Sequence, residues 1–307
     1  PSILMIEGFY FFSGRGMDSG TAVYAKNRKT SGLIGRLNLV SYPFCILLIV
    51  HFCMKDYSTP FLTRFSRLFK MLLWLFSTVR RIRRLDKASV EQRNDEFSSI
   101  CAEALSILNV RLIARNRPSE SLKGVLVVAN HISLLDIFAI TALCPSSFIA
   151  MKELSRWPVI GRVARNADTV FIDRSNRKDI NIINEAICRS LAEGKNVCFF
   201  PEARTSSGNG ILPFKAALFQ SAIDAGSEIQ PLALRYFDSQ KRRTTQPSFS
   251  EVNLFVSLWR IVSMQEIEVH VDFLPLEKPQ GDRYEVKDKI EAAIGREVGK
   301  IHEVLAE

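Results

Sequence analysis

The order of hydrophobic and polar positions divides the chain into three zones. Residues 1–36 mix Gly, Ser and basic side chains without a helical or alternating period, which predicts a poorly ordered extension. Residues 37–53 are the most apolar stretch, broken by Pro43. A bilayer crossing takes about 17–25 residues, so this stretch is just long enough to span, and it equally suits a buried or re-entrant segment. A cleaved signal peptide fits less well, because a long segment precedes the stretch and no small-residue cleavage site follows it. If it spans, the basic excess on its C-terminal side puts the rest of the chain in the cytoplasm, on an inner membrane. Met54 offers an alternative start, which would make residues 1–53 upstream sequence.

Residues 61–79 carry Arg64, Arg67 and Lys70 at three-residue spacing, with Phe, Leu, Met and Trp on the other faces. The spacing predicts a helix lying in a membrane interface, its basic side chains reaching lipid headgroups. A packed core helix is the alternative. The run Arg80, Arg81, Arg83, Arg84 beyond it favours the membrane. Residues 37–86 thus read as membrane-associated helical segments and 87–307 as a catalytic domain.

From residue 88 onward helical and strand patterns alternate. Strand-like runs fall at 110–114, 125–129, 147–150, 169–172, 197–200, 229–235 and 267–273. Helical patterns cover 88–108, 179–193, 213–225, 251–264 and 284–305. The alternation predicts an α/β fold, a largely parallel sheet flanked by helices, preceded by the N-terminal membrane-associated helical motif.

Charge changes the picture in its placement. The formal net charge is +9, and the segment after the apolar stretch collects much of it. Basic residues beside apolar sequence suit an anionic membrane surface, at about 1 kcal/mol each. Nucleic acid is the other partner for a basic chain, and no recognisable nucleic-acid motif is present, so none is expected. The six cysteines form no CxxC pair and mostly sit in apolar runs, as reduced, buried thiols do.

Among four histidines, His131 stands apart. It follows the strand run 124–129 directly, in Asn130-His-Ile-Ser-Leu-Leu-Asp136, where a strand ends in polar residues before a helix. Open α/β sheets place ligands at such strand ends. Asp136 completes a His-x4-Asp spacing, and two roles compete for it. Ser133-x-x-Asp136 is a capping box ahead of an apolar run. Alternatively, its carboxylate fixes the imidazole tautomer while the imidazole takes a proton from a substrate hydroxyl. Downstream, the strand 197–200 runs into Pro201-Glu202-Ala203-Arg204. There a guanidinium fork can grip a phosphate and Glu202 can orient it or accept a hydroxyl. Arg174 ends the run Val170-Phe-Ile-Asp-Arg, Lys152 follows the strand 147–150, and Lys215 lies in Pro-Phe-Lys; singly, each is more often a surface charge.

Together Asn130-His-x4-Asp136, Phe171-Ile-Asp-Arg174, Phe200-Pro-Glu-Ala-Arg204 and Ile229-Gln-Pro-Leu-Ala-Leu234 resemble, in order and approximate spacing, the four blocks of the glycerolipid acyltransferase family. The resemblance covers about residues 60–240 and is to the bacterial 1-acylglycerol-3-phosphate acyltransferase branch. It implies His131 as general base with Asp136 as its partner. It implies Arg174, Glu202 and Arg204 as binders of the glycerol phosphate, Pro231 as a wall of the acceptor pocket, and an interfacial N-terminal helical motif. The implied reaction moves a fatty acyl chain from acyl-CoA or acyl-carrier protein to the sn-2 hydroxyl of 1-acyl-sn-glycerol-3-phosphate, without a metal or cofactor. One departure stands out: the family's third block usually reads Glu-Gly-Thr-Arg, and here it reads Glu202-Ala-Arg-Thr205. That leaves room for another lysophospholipid or a lyso-aminolipid as acceptor. Two rivals of other classes remain, a lipase and a non-catalytic basic membrane-binding protein. The first lacks a Gly-x-Ser-x-Gly elbow, and the second leaves the strand-end His and Arg residues unexplained.

Overall fold

The computed structural model describes residues 59–85, 88–151, 155–156, 161, 169–172 and 179–300. The expectations for residues 1–36 and 37–53, and for Lys152 and Arg174, lie outside these residues. Among the described residues seven strands form one sheet, ordered β1-β7-β6-β2-β5-β3-β4. They are β1 (Val110–Arg115), β2 (Leu126–Ala129), β3 (Ser147–Met151), β4 (Val170–Ile172), β5 (Val197–Phe199), β6 (Ile229–Asp238) and β7 (Ile267–Phe273). Every neighbouring pair is parallel except β6 with β7.

Helices cover both faces: α1 (Phe61–Ile82), α2 (Val90–Ile107), α3 (Leu135–Leu143), α4 (Asp179–Ala192), α5 (Gln220–Ala225), α6 (Leu254–Ser263) and α7 (Arg283–Gly299). The period-2 alternation of the strands feeds two cores. Val127 and Ala129 of β2, with Cys198, Leu234 and Tyr236, face α2, α3 and α6. Leu126 and Val128, with Val197, Phe199 and Ala233, face α4 and α7. Because β2 is central and buried on both faces, its residues form the continuous apolar run that parallel strands require. Local signals set the helix starts: Ser89 with Gln92 and Asp282 with Glu285 form capping boxes for α2 and α7.

Two expectations need correction. The helix expected over 213–225 shortens to a 3-10 turn, Ala217–Phe219, and α5. Lys215 donates its N–H to Pro201 O at 2.9 Å instead, which holds the preceding residues against the end of β5.

The second concerns α1, which is helical as expected but turned the other way. Arg64 and Arg67 do not reach outward; both are buried. Arg64 Nε donates to Thr59 O at 2.8 Å, and its guanidinium lies 5.4 Å from the Trp259 ring centroid. Arg67 donates to Val262 O, Met264 O and Gln265 O at 3.0, 2.5 and 3.0 Å. These carbonyls crowd the C-terminus of α6, where a helix leaves its last C=O groups unpaired and carries partial negative charge. A fork of five donors answers that need better than water does, so Arg67 faces inward, with Arg64 beside it. Phe61, Leu62, Phe65, Phe69 and Phe76 are left exposed, Leu62 by 80% and Phe76 by 73%. Lys70 and Arg80 also stay exposed, whereas Arg81 pairs with Glu96 and Glu103 of α2. Among the described residues no helix is long and apolar enough to cross a membrane.

Candidate active site

The site forms where β2 and β5, side by side, reach their C-terminal ends. After Ala129 the chain leaves the sheet, and Asn130 fastens the exit. Its side-chain Nδ2 donates to Leu234 O at 3.1 Å and its Oδ1 accepts Leu234 N–H at 2.7 Å. A buried amide satisfied on both sides by one residue of β6 fixes where the next residue, His131, begins.

His131 is 4% exposed. Its Nδ1 lies 2.8 Å from Asp136 Oδ2. The same oxygen accepts the backbone N–H groups of Ile132 and Ser133, at 2.7 and 2.9 Å. With donors already converging on it, this carboxylate oxygen acts only as an acceptor, so Nδ1 carries the proton and Nε2 is the lone-pair nitrogen. The two roles that competed for Asp136 are therefore one arrangement. The aspartate closes the first turn of α3 by accepting Ser133 N–H and orients the imidazole with the same atom. Ser133 Oγ does not complete the box; it accepts Leu135 N–H at 3.3 Å.

One face of the imidazole stacks on Phe200, with ring centroids 3.9 Å apart and planes 12° from parallel. Phe200 immediately follows β5, so the strand that delivers the Pro201-Glu-Ala-Arg segment also supplies a wall for the base. Glu202 is buried, and each of its oxygens is engaged: Oε1 accepts His131 N–H and Oε2 accepts Leu212 N–H, both at 2.7 Å. Burial pushes its carboxyl up to about 7, opposed by the two backbone hydrogen bonds and the nearby His131. Glu202 thus ties the His131 turn to the loop 203–212. Ser206 N–H to His131 O at 2.7 Å tightens that contact, and Phe249 N–H to Ile132 O at 2.9 Å ties the same turn to a second segment.

The departure at Ala203 acquires a structural meaning. Its φ is +59°, the left-handed region that favours glycine. The chain keeps the turn that a glycine would take at ease, and Ala203 N–H closes it on Phe200 O at 3.1 Å. Beyond the turn Arg204 is exposed, and so is Lys215, whose backbone is bonded to Pro201.

Of the residues singled out from sequence, His131, Asp136 and Glu202 come together directly, and Arg204 stands on the same turn as Glu202. Pro231 sits apart, buried inside β6 in register with Val128, its carbonyl accepting Leu274 N–H at 3.0 Å. It shapes the sheet below the site rather than lining the imidazole. Sequence reasoning missed Tyr236, whose hydroxyl donates to Asp136 Oδ1 at 2.5 Å, and it read Phe200 as a strand residue alone. The inward alternation of β6 marks Tyr236 as facing the α3 side, but no local pattern names a partner one hundred residues away. His270, away from this site, is buried with its Nε2 3.3 Å from Glu268 Oε2.

The chain matches the protein-family model described as Acyltransferase over residues 111–235. It is 49% identical over 243 residues to the 1-acyl-sn-glycerol-3-phosphate acyltransferase of Neisseria gonorrhoeae, covering 78% of this chain and 95% of that protein. It is 33% identical over 168 residues to the lyso-ornithine lipid O-acyltransferase of Pseudomonas aeruginosa, covering 54% of this chain and 65% of that protein. Its fold is similar to the crystal structure of the 1-acyl-sn-glycerophosphate (LPA) acyltransferase PlsC from Thermotoga maritima. That likeness has a TM-score of 0.63 and 20% identity, and covers 80% of this chain and 97% of that one.

Proposed function

Because the chain belongs to the bacterial glycerophospholipid acyltransferase family, close to its 1-acyl-sn-glycerol-3-phosphate acyltransferase branch, we propose that its buried His131–Asp136 pair transfers a fatty acyl chain to the sn-2 hydroxyl of 1-acyl-sn-glycerol-3-phosphate, giving phosphatidate. The donor is acyl-CoA or acyl-carrier protein. The observation that carries this reading is the 2.8 Å contact between His131 Nδ1 and Asp136 Oδ2 at the end of β2.

The hydroxyl of a lysolipid is a weak nucleophile near neutral pH, so attack needs its proton taken as the new bond forms. His131 Nε2 takes that proton while the oxygen adds to the thioester carbonyl. The carbon–sulfur bond then breaks, and the imidazolium returns the proton to the departing thiolate. Asp136 keeps the ring in the productive tautomer and balances its transient charge. Phe200 holds the ring plane, and Glu202 holds the peptide that carries it.

Arg204 and Lys215 supply positive charge beside this machinery and receive the acceptor's phosphate, with Lys152 and Arg174 as further binders. The exposed apolar face of α1 enters the leaflet, to a depth of about 5–10 Å. This sets the enzyme on the inner membrane with the catalytic domain on its cytoplasmic side, against an anionic surface that Lys70, Arg80, Arg83 and Arg84 reinforce.

The test is thioester release from acyl-CoA with and without lysophosphatidate, alongside other lysolipids including a lyso-ornithine lipid. Acceptor-dependent release that disappears in His131→Ala is expected. Release independent of any acceptor would mark a hydrolase, and undiminished turnover in His131→Ala would remove the base from the mechanism.

A further inference from the structure

Asp136 divides its two oxygens unequally. Oδ2 takes three donors from its own turn: His131 Nδ1 and the N–H groups of Ile132 and Ser133. Oδ1 accepts the Tyr236 hydroxyl at 2.5 Å. Asp136 is fully buried and Tyr236 is 1% exposed, so water does not substitute readily. We propose that Tyr236 is a positioning residue for acyl transfer, holding Asp136 at the oxygen that does not face His131 and so setting the basicity of the pair. This deepens the proposed role of His131 and Asp136 and rests on it.

The location of Tyr236 supports the assignment. β6 grips the His131 turn at both ends, Leu234 clasping Asn130 before the histidine and Tyr236 clasping Asp136 after it. Both residues lie on the same face of one strand, two positions apart, so the strand acts as a ruler for the 130–136 turn. A tyrosine that only filled space would leave its hydroxyl to any carbonyl, whereas this one ends on the carboxylate that meets the imidazole.

The titratable groups around Asp136 are His131 of its own turn, Tyr236 of β6, Cys198 of β5 and Glu202 beyond it. Burial and the neighbouring Asp136 push the phenol well above its ordinary range, and burial likewise keeps the Cys198 thiol neutral. The tyrosine therefore remains a donor throughout the working range. Its hydrogen bond draws charge toward Oδ1 and tempers the pull of Oδ2 on Nδ1–H. Without it, the carboxylate stabilises the imidazolium more strongly, and a higher pH is needed to keep His131 as a base.

The experiment compares pH–rate profiles of the wild type, Tyr236→Phe, Asp136→Asn, the double variant and His131→Ala. Phenylalanine fills the same space and keeps the fold. In Tyr236→Phe, kcat is expected to fall about tenfold with both KM values within about twofold. The acid limb should move up by about one pH unit. On the residual activity of Asp136→Asn, adding Tyr236→Phe should cost nothing further. An unshifted acid limb, with or without a lower melting temperature, overturns the proposal, as does unchanged kcat. His131→Ala separates the two readings: if it is active, the pair itself is misassigned, and if it is dead beside a normal Tyr236→Phe, only the tyrosine's role fails.

Discussion

Glu202 Oε1 accepts the backbone N–H of His131 at 2.7 Å, so the glutamate of the third motif block holds the peptide of the base itself. With Oε2 on Leu212 N–H, both oxygens are engaged inside the protein, whereas Arg204 on the same turn is exposed. The block thus divides: Glu202 holds the backbone of the site, and the proposed phosphate contact falls to Arg204.

Burial pushes that carboxyl from the ordinary glutamate range up to about 7. A raised carboxyl favours folding while it is protonated, and the contribution is lost as pH rises through the folded-state value. It amounts to on the order of 3 kcal/mol at most. Melting curves of wild type and Glu202→Gln should therefore diverge with pH. Between about pH 5 and pH 8 the difference should move steadily against the wild type. A pH-independent gap would show that the carboxyl titrates normally. Glu202→Gln should also lose activity, because an amide cannot accept both N–H groups.

Ala203 holds φ +59° on the turn between Glu202 and Arg204. Relief of left-handed strain in Ala203→Gly is offset in part by the greater freedom of glycine in the unfolded chain, leaving a gain of about 0.5–1 kcal/mol. Chemical denaturation should show a higher midpoint at unchanged slope. A loss of stability would mean the turn relaxes around the methyl group.

Removing Arg204 should weaken the acceptor and spare the donor. Loss of a charge-assisted phosphate contact costs about 1.5–3 kcal/mol, which is roughly tenfold or more in acceptor KM. Initial rates for Arg204→Ala with each substrate varied in turn give the answer. Equal rises in both KM values would remove the arginine from the phosphate site.

Opposite faces of α1 should respond differently to change. Phe69, Leu73 and Phe76, all exposed, when replaced together by Ser should cut activity on bilayer substrate while sparing a short-chain soluble acceptor. Arg67→Ala should instead lower the melting temperature with either acceptor, because it strips three carbonyls at the end of α6. Parallel losses on both acceptors in the serine variant would make that face part of the core.

The strands were legible because most are short apolar runs and β7 alternates apolar and polar residues, and β2 and β5 announce the site by running into the segments that carry His131 and Glu202. Interactions between distant segments were not legible. Arg64 and Arg67 look like headgroup ligands at three-residue spacing, yet Arg67 satisfies carbonyls nearly two hundred residues later in the chain and Arg64 lies against the distant Trp259 ring. Tyr236 escaped for the same reason. Asp136 was legible both as a cap, in Ser133-x-x-Asp136, and as a catalytic partner, in His131-x4-Asp136, and the sequence could not show that one oxygen serves both.

The inward arginines of α1 also decide how the enzyme sits. Thr59 N–H on Ser263 O and the Arg67 fork on the carbonyls at the end of α6 fasten the start of α1 to that helix. On the placement proposed above, with the outer face of α1 in the leaflet, the height of His131 over the lipid would be set by the protein's own packing, and the body would follow any tilt or curvature of the surface together with that helix.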